Sequence, residues 1–380
     1  MDDFDAPRLA DLRQRRSAKW REYGDALPVW IAESDVPLAE PVARVLHEAV
    51  DRGDTGYAHP DELRETVVGW IGRVYGWRIA TDDVLVLPDV MTGVAEVLRV
   101  VTGPGDGVVI NTPVYPPFAA TVAQVGRRVV EVPLLSDPGG WSLDVDGLER
   151  AFAGGARAYL LCSPHNPVGA VWPADVLAAV ARLAARYDVT VLADEIHAPL
   201  TLPGADHTPY PLVSSEAADQ SVLLTSASKA WNLAGLKCAV AVAGSPRMRA
   251  ALDRTDPHLR WGVGHLGALA MIAALRDGSD WLDGLLAHLD RNRALLGKLL
   301  AEHLPGVGYQ PPQASYLTWL DCRALDLGPD PAAAFLRSGV ALSSGPDFGP
   351  PGEGFARLNI ATTEALVEEA VRRMARAVGP

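Results

Sequence analysis

The sequence predicts an α/β protein, with a large domain built on a mainly parallel sheet of seven strands and a smaller α+β domain at the C-terminal end. Two observations lead to this prediction. From about residue 80 to 245, short β-branched runs alternate with helical or loop stretches, and after about residue 250 a long helical stretch precedes several strand-like pieces. Alternation of strands with helices is typical of a parallel sheet that is covered on both faces.

Seven β-branched runs predict the strands of the sheet. In chain order they are VLVL (84–87), VVI (108–110), RRVVEV (127–132), AYLLC (158–162), VTVLAD (189–194), SVLLT (221–225) and CAVAVA (238–243). The stretches between them, such as ADVLAAVARLAARY (174–187), carry apolar residues at helical spacing. Because such sheets bind ligands at the carboxyl ends of their strands, polar motifs that follow a strand are candidate site residues.

The C-terminal part has a different pattern. A long helix is predicted over WLDGLLAHLDRNRALLGKLLAEHL (281–304), which ends at Pro305-Gly306. Three strands, YLTWLDC, VALSS and FARLNIA, and a final helix, EALVEEAVRRMARAV, follow it, whereas GPDFGPPGEG (345–354) is predicted to be a mobile loop. We expect an N-terminal arm over 1–43 that contributes to the small domain, a large domain over 44–275, and a small domain over 276–380.

Composition and charge restrict the function. A formal net charge of −13 argues against nucleic acid as a partner, since phosphates would be repelled. No apolar run approaches the about 20 residues that a membrane span needs, and the charged N-terminus has no signal-like apolar segment. Three widely spaced cysteines, Cys162, Cys238 and Cys322, indicate reduced thiols. We therefore expect a cytoplasmic protein without a membrane partner.

The segment TSASKAWNLAGLK (225–237) is the first candidate for chemistry. A strand ends at Thr225, and Lys229 follows in an apolar setting that lowers the pKa of an amine and makes it a usable nucleophile. Ser226 and Ser228 can donate to a phosphate, and Lys237 adds a cation. The alternative is a solvated loop lysine, which is the commoner situation for a single Lys.

The segment VTVLADEIH (189–197) is the second candidate. Asp194 ends an almost wholly apolar strand, where a carboxylate is costly unless a cation is nearby. A protonated pyridine nitrogen would be such a cation and would keep the ring an electron sink. The spacing Asp-Glu-x-His could also suggest metal ligands, but no second Cys or His cluster supports this, and no metal is predicted.

Two further motifs follow strands. Asn166 lies between two prolines in LLCSPHNPVGAVW (160–172) and could donate a hydrogen bond to a ring hydroxylate, although Asn-Pro is also ordinary turn chemistry. Tyr115 lies between prolines in NTPVYPPF (111–118), where its ring could stack on an aromatic cofactor. A core tyrosine explains this position equally well.

Together and in this order, these motifs resemble those of fold-type I pyridoxal-phosphate (PLP) enzymes, the aminotransferase class I/II superfamily. Within it the chain is most similar to the cystathionine β-lyase branch, the MalY/PatB-type C–S lyases. The segments that carry the resemblance span essentially the whole chain and are WIAESDVP (30–37), TGYAHP (55–60), PDVMTGV (88–94), PVYPPF (113–118), PHNPVG (164–169), ADEIHAPL (193–200), SASKAWNLAGLK (226–237) and FARLNIAT (355–362).

The resemblance implies the PLP-transferase fold type I and roles for individual residues. Lys229 would bind the cofactor and take the substrate Cα proton, Asp194 would pair with the pyridine nitrogen, and Tyr115 would stack on the ring. The other implied cofactor and substrate contacts are Asn166 and His197 at the ring, Ser226, Ser228, Lys237, Val90 and Met91 at the phosphate, Tyr57 reaching the phosphate of a neighbouring subunit, and Arg357 at the substrate carboxylate.

The resemblance also implies an activity. It favours a PLP-dependent C–S β-lyase that converts an S-substituted L-cysteine into a thiol, pyruvate and ammonia. A PLP-dependent aminotransferase is the alternative, since both reactions begin with the same proton removal by Lys229. A regulatory role through binding of a protein is a third possibility, of another class. A homodimer with active sites at the subunit interface is the implied assembly.

Overall fold

The computed structural model describes residues 4–137 and 139–378. Its N-terminal part is mainly helical, because the apolar residues of the longer helices recur at helical spacing and face one core. Its elements are α1 (Leu9–Leu12), α2 (Ala18–Arg21), β1 (Leu27–Pro28), α3 (Glu40–Asp51) and α4 (Asp61–Tyr75).

The central part of the chain alternates strands and helices. Its elements are β2 (Val84–Leu87), α5 (Val90–Val101), β3 (Gly107–Ile110), α6 (Pro117–Gln124), β4 (Arg128–Glu131), β5 (Leu135–Asp137), β6 (Gly140–Ser142), α7 (Val145–Ala153), β7 (Ala156–Cys162), α8 (Ala174–Arg186), β8 (Thr190–Asp194), α9 (Ser215–Gln220), β9 (Ser221–Thr225), β10 (Ala239–Ala243), α10 (Pro246–Leu252) and α11 (His265–Asp277).

Seven of these strands form one sheet, in the order β2-β10-β9-β8-β7-β3-β4. The strands from β9 to β4 pair in parallel, whereas β10 is antiparallel to both of its neighbours, β2 and β9. The predicted mainly parallel sheet of seven strands is confirmed, and each strand coincides with one of the β-branched runs. The short strands β5 and β6 form a separate hairpin.

Both faces of this sheet are buried, which accounts for the nearly unbroken apolar strands. In β7 and β8, Leu160 and Leu192 belong to one core together with α5 and α6. Their neighbours Leu161 and Val191 point to the opposite face and pack with α7 and α8. Alternate side chains of a strand point to opposite faces, so each face receives its own apolar core. Among the described residues, no helix is both long enough and apolar enough to cross a bilayer.

The C-terminal part is built on a second sheet. Its elements are α12 (Ser279–His303), β11 (Gly308–Tyr309), β12 (Leu317–Asp321), α13 (Pro331–Arg337), β13 (Val340–Ala341), β14 (Ser343–Ser344), β15 (Phe355–Asn359) and α14 (Glu364–Val378). Four of the strands form an antiparallel sheet in the order β11-β12-β15-β14. The prediction of one strand over VALSS is wrong, because β13 pairs with β1 and β14 pairs with β15.

The N-terminal arm packs on this second sheet. Strand β1 pairs in parallel with β13, with Leu27 opposite Val340. The side chain of Asn359 donates hydrogen bonds to the carbonyls of Ile31, at 2.7 Å, and Glu33, at 2.8 Å. The arm therefore contacts the second sheet, and the division of the chain into an arm, a large domain and a small domain stays a prediction.

The segment 345–354 is packed, unlike the mobile loop that its glycines and prolines predicted. It contains two short 3₁₀ helices, Gly345–Phe348 and Pro350–Gly352, and Phe348 is buried. A Cβ atom on Gly352 would lie 1.9 Å from the Gly345 carbonyl oxygen. The glycines are therefore required by close backbone contact, and they do not indicate a flexible connection.

Candidate active site

A cavity of about 370 Å³ lies at the carboxyl ends of the parallel strands. Asp194 is the last residue of β8, and Lys229 lies in the loop after β9. The cavity brings together ten of the residues predicted from the sequence. These are Val90, Met91, Tyr115, Asn166, Asp194, His197, Ser226, Ser228, Lys229 and Lys237.

Lys229 is held in this cavity between apolar neighbours. The residues on its C-terminal side, Ala230 and Trp231, are buried and anchor the loop. Its Nζ donates a hydrogen bond to the Ala32 carbonyl at 3.2 Å. Burial, assisted by the positive charge of Arg357, lowers the pKa of the Lys229 ammonium to about 8. A substantial fraction of the amine is thus neutral near physiological pH and available as a nucleophile or base.

Asp194 is a buried carboxylate, with 5% of its surface exposed. Its Oδ1 accepts a hydrogen bond from the Ile196 amide at 3.2 Å. Burial raises the pKa of Asp194 to about 7, although the Ile196 hydrogen bond and the charge of Lys229 act in the opposite direction. No ion-pair partner lies within 4.0 Å of Asp194 in the described part of the chain. A cationic N–H donor from a ligand would therefore stabilise the charged form of this carboxylate.

His197 lies close to Asp194 and is held neutral. Burial and the charges of Lys229 and Arg357 lower the pKa of its imidazole to about 3. Its Nδ1 is 3.0 Å from the Ser315 hydroxyl, and its ring packs edge-on against Tyr316. A neutral ring at this place provides an uncharged wall for an aromatic ligand.

The N-terminus of α5, the loop after β9 and Lys237 line the same cavity. The amides of Val90 and Met91 are in the first turn of α5, where amides lack acceptors within the helix. Lys237 Nζ is 3.2 Å from Asp89 Oδ2, and Asp89 also caps the helix by accepting from the Thr92 amide at 2.8 Å. Burial would raise the pKa of Asp89, but these hydrogen bonds outweigh it, and the pKa is lowered.

The two predicted serines differ in what they can offer a phosphate. The Ser226 hydroxyl donates to the Cys238 carbonyl at 2.7 Å and accepts from the Ser228 amide at 3.0 Å. Its single proton is therefore committed within the protein, so the prediction that it donates to a phosphate is not matched by this arrangement. Ser228 lines the same cavity and stays the candidate donor of the two.

Tyr115 and Asn166 also line this cavity. Tyr115 follows β3, and burial, together with the negative charge of Asp194, raises the pKa of its phenol, so the hydroxyl stays protonated. Asn166 follows β7, and its Oδ1 accepts from Arg357 Nη1 at 2.9 Å. The bond between Asn166 and Arg357 connects the loop after β7 to β15 of the four-stranded sheet.

Arg357 lines a second cavity, of about 390 Å³, that shares Tyr115 with the first. Only 5% of Arg357 is exposed, and burial lowers the pKa of its guanidinium to about 10. Its Nη2 donates to the Trp30 carbonyl and to the Ser343 hydroxyl, both at 3.0 Å, while its buried Nε has no partner in the described structure. An orphaned N–H on a buried cation indicates a place for an anionic ligand group.

Tyr57 is the predicted residue that the structure does not bring to either cavity. It is 78% exposed and packs edge-on against Trp261, itself 49% exposed, with ring centroids 5.3 Å apart. Among the described residues, Trp261 is its ring partner, and Trp261 is not a predicted site residue.

The sequence reasoning missed residues that support the site. Asn232 contacts the 31–35 segment through its side chain, and Ser343 orients Arg357. Cys162 and Cys238 line the first cavity. Asn232 was visible in the motif around Lys229, but its partner is a backbone carbonyl about two hundred residues away, which no residue pattern reveals.

The arrangement fits pyridoxal phosphate. The cavity offers an amine for the aldehyde, a buried carboxylate for the ring nitrogen, an aromatic side chain for the ring face, and a helix N-terminus with a lysine for the phosphate. The fit depends above all on Asp194, whose buried and unpaired charge is the feature that a protonated ring nitrogen would neutralise. No group of three or more metal-binding side chains occurs among the described residues.

This site on a mainly parallel seven-stranded sheet defines a PLP-transferase of fold type I. The chain belongs to the aminotransferase class I and II family, whose model matches residues 30–374.

Individual relatives narrow the comparison. The chain is 46% identical to a Mycobacterium leprae (strain TN) protein that is provisionally named cystathionine beta-lyase, covering 97% of this chain and 96% of that protein. It is 35% identical to cystathionine beta-lyase PatB of Bacillus subtilis (strain 168), over 97% and 99% of the two chains. A crystal structure of a provisionally named PLP-dependent beta-cystathionase from Corynebacterium diphtheriae is 36% identical, with a TM-score of 0.93 and 98% of each chain covered.

Proposed function

We propose that this chain is a PLP-dependent C–S β-lyase of the cystathionine β-lyase type, which cleaves an S-substituted L-cysteine into a thiol, pyruvate and ammonia. The observation that carries the proposal is the placement of Lys229 and the buried, unpaired Asp194 in one cavity, with Arg357 beside it. The names of the full-length relatives support the lyase within the family.

When bound, pyridoxal phosphate supplies an electron sink that stabilises negative charge at the substrate Cα. Asp194 keeps the ring nitrogen protonated, because a carboxylate in this buried place gains most from a cationic partner. Lys229 would hold the cofactor through Nζ and would take the substrate Cα proton at the same atom. Its lowered pKa maintains the neutral form that both tasks need.

Arg357 binds the substrate carboxylate. Its Nη1 and Nη2 are fixed by Asn166, Trp30 and Ser343, so the guanidinium plane is oriented before the substrate arrives. The Nε has no acceptor in the described structure, and a substrate carboxylate that displaced a neighbour of the guanidinium would supply a charge-assisted one.

The remaining residues hold the cofactor. We assign the phosphate to the amides of Val90 and Met91, to Ser228 and to Lys237, with Ser226 shaping the loop. Tyr115 and His197 enclose the ring from positions in the cavity wall. Asn166 contacts the ring hydroxylate through its side-chain amide.

An aminotransferase is the second candidate, and the description of the matched family favours it. The residues that bind the cofactor serve both reactions, since each begins with removal of the same proton. The difference lies in where Lys229 delivers that proton afterwards.

A homodimer and a cytoplasmic location complete the proposal. The exposed aromatic pair of Tyr57 and Trp261 supports a partner surface, on which Tyr57 would reach the phosphate site of the second subunit. The three cysteines are free and buried, which is consistent with a reducing compartment.

The test uses purified, PLP-loaded protein and L-cystathionine without any keto acid, with pyruvate and free thiol followed together. Equal amounts of both, absent in Lys229→Ala, are the expected result. No thiol release, with amino-group transfer once a keto acid is added, would assign the chain as an aminotransferase. Circular dichroism of Lys229→Ala serves as the control for folding.

A further inference from the structure

The 31–35 segment of the N-terminal arm contacts Lys229 through one main-chain carbonyl. Ala32 lines the cavity, and its oxygen accepts from Lys229 Nζ at 3.2 Å. The carbonyls on either side, of Ile31 and Glu33, accept instead from Asn359 Nδ2. The segment is therefore held in one orientation, with the Ala32 oxygen directed at the amine.

Asn232 attaches this segment to the loop that carries Lys229. Its Nδ2 donates to the Ser34 carbonyl at 2.9 Å, and its Oδ1 accepts from the Ser34 amide, also at 2.9 Å. This reciprocal pair uses both backbone hydrogen-bonding groups of one residue. Asn232 adopts φ +59°, a left-handed conformation that Asn tolerates better than most residues.

A buried ion pair fixes the other end of the segment. Lys19 Nζ lies 2.8 Å from Asp35 Oδ2 and also donates to the Glu33 carbonyl at 2.9 Å. Trp20 Nε1 donates to Asp35 Oδ1 at 2.9 Å, and both side chains of the ion pair are almost completely buried. Movement of the 31–35 segment would break this pair in a low-dielectric place, which is strongly unfavourable.

We propose that Asn232 is a positioning residue, which holds the Ala32 carbonyl as the acceptor for the ammonium that Lys229 becomes when it takes the substrate Cα proton. The inference rests on the proposed function, because it concerns the same proton. In the step, the Cα–H bond breaks, its electron pair stays with the substrate, and the Lys229 lone pair forms the new N–H bond. The ammonium then donates to the Ala32 oxygen.

The charges that face Lys229 make this acceptor necessary. Arg357 and Lys237 disfavour its ammonium, whereas Asp194 and Glu33 favour it, and burial adds to the unfavourable side. When Asp194 is paired with the ring nitrogen, the Ala32 carbonyl is still available to Lys229, because the protein alone fixes its position. A shift of this carbonyl away from Lys229 would destabilise the Lys229 ammonium.

The test compares Asn232→Gly with Asn232→Ala in the PLP-loaded enzyme. Glycine adopts φ +59° without strain, whereas alanine does not. A fall in kcat that both variants show is therefore due to loss of the two hydrogen bonds between Asn232 and Ser34. We expect kcat for pyruvate formation from L-cystathionine to fall about tenfold in both, because a charge-assisted hydrogen bond is loosened. KM should stay within about twofold. The matched control is Asp326→Gly, an exposed residue at φ +54° far along the chain from the site.

A fall in kcat confined to Asn232→Ala would assign the effect to backbone strain and overturn the proposal, as would an unchanged kcat in both variants. If Asn232→Gly does not fold, Asn232→Asp replaces it, because aspartate also tolerates φ +59° but has no N–H for the Ser34 carbonyl, and an unchanged kcat in that variant would overturn the proposal. A rise in KM that equals the fall in kcat would also overturn it, since that result indicates general damage to the site.

A second readout needs no turnover. The cofactor-free full chain binds added PLP at a rate that rises with the neutral fraction of Lys229, so the pH midpoint of this rate reports the pKa of the amine. We expect the midpoint to fall by about 0.5 in Asn232→Gly and to stay unchanged in Asp326→Gly, because the ammonium loses a fixed acceptor. An unchanged midpoint would overturn the inference. If wild-type protein binds PLP but releases no thiol, the proposed function fails while this comparison still decides the role of Asn232.

Discussion

Replacement of Asp194 by asparagine is expected to stabilise the cofactor-free protein while abolishing its use of the cofactor. The carboxylate is buried, accepts one amide hydrogen bond and lies beyond ion-pair distance of every described cation. Asparagine has the same shape and retains the oxygen that accepts from the Ile196 amide. The substitution thus removes the desolvation cost of the charge with little change in packing.

The magnitude follows from the pKa. Burial raises the pKa of Asp194 from 3.8 to about 7. The folded chain therefore binds this proton more tightly than the unfolded chain, and its stability falls as the pH rises from about 4 to about 7 and then levels off. Three pKa units correspond to roughly 4 kcal/mol. The value of about 7 already includes the attraction to Lys229, and the asparagine amide has a burial cost of its own, so we expect the variant to be more stable by roughly 2–4 kcal/mol at pH 8.

The assay is urea unfolding of both proteins without cofactor at pH 5 and at pH 8, with the midpoints compared at each pH. The difference should be larger at pH 8 than at pH 5 by roughly 2–3 kcal/mol, because two of the three pH units over which the charge becomes costly lie above pH 5. Asp89→Asn is the matched control, since Asp89 lines the same cavity but its pKa is lowered, so that this variant should be the less stable one at pH 8. If Asp194→Asn gains nothing between pH 5 and pH 8, the buried carboxylate carries no cost and the argument for its partner fails.

Three further outcomes are expected. Arg357→Lys should raise KM for the amino-acid substrate more than about tenfold with a smaller change in kcat, because a lysine cannot reproduce the fixed planar fork, and steady-state kinetics decide this. Lys237→Ala should weaken PLP binding about tenfold, measured by titration of cofactor-free protein, and an unchanged affinity would remove Lys237 from the phosphate site. Tyr57→Ala should weaken PLP binding without lowering the unfolding midpoint of the cofactor-free chain, since its ring is mostly exposed and contacts Trp261 at the surface. An equal loss of both would show that Tyr57 serves folding.

Strand positions could be predicted from the sequence because the sheet is buried on both faces. A strand such as Thr190–Asp194 must then be apolar throughout, and a β-branched run of this length is too short to form a buried helix. Helix α11 was missed for the related reason that it is buried on nearly all sides, which removes the one-sided pattern that marks a surface helix. The division of VALSS into two strands depends on which partner each half meets, and local sequence does not encode that partner.

The cofactor cavity was predictable to a similar extent. Its main residues follow strands in motifs, as Asp194 and Lys229 do, so that strand ends and residue types were sufficient. The supports of these residues were not predictable, because Asn232 and Arg357 bind main-chain oxygens contributed by the N-terminal arm. Every residue has a main-chain carbonyl, so the sequence does not mark the ones that accept hydrogen bonds at the site. Only the folded chain shows which of them face it.

The hydrogen bond between the Trp30 carbonyl and Arg357 has a consequence for synthesis, since it joins positions 327 residues apart. A ribosome needs roughly 15 to 65 s to add that many residues, at about 5–20 residues per second. Throughout that interval the arm lacks the C-terminal sheet on which it packs. The strands of the large sheet are complete before that second sheet has been synthesised. A product truncated before Arg357 would keep every strand of the large sheet yet lack the side chain that we assign to the substrate carboxylate.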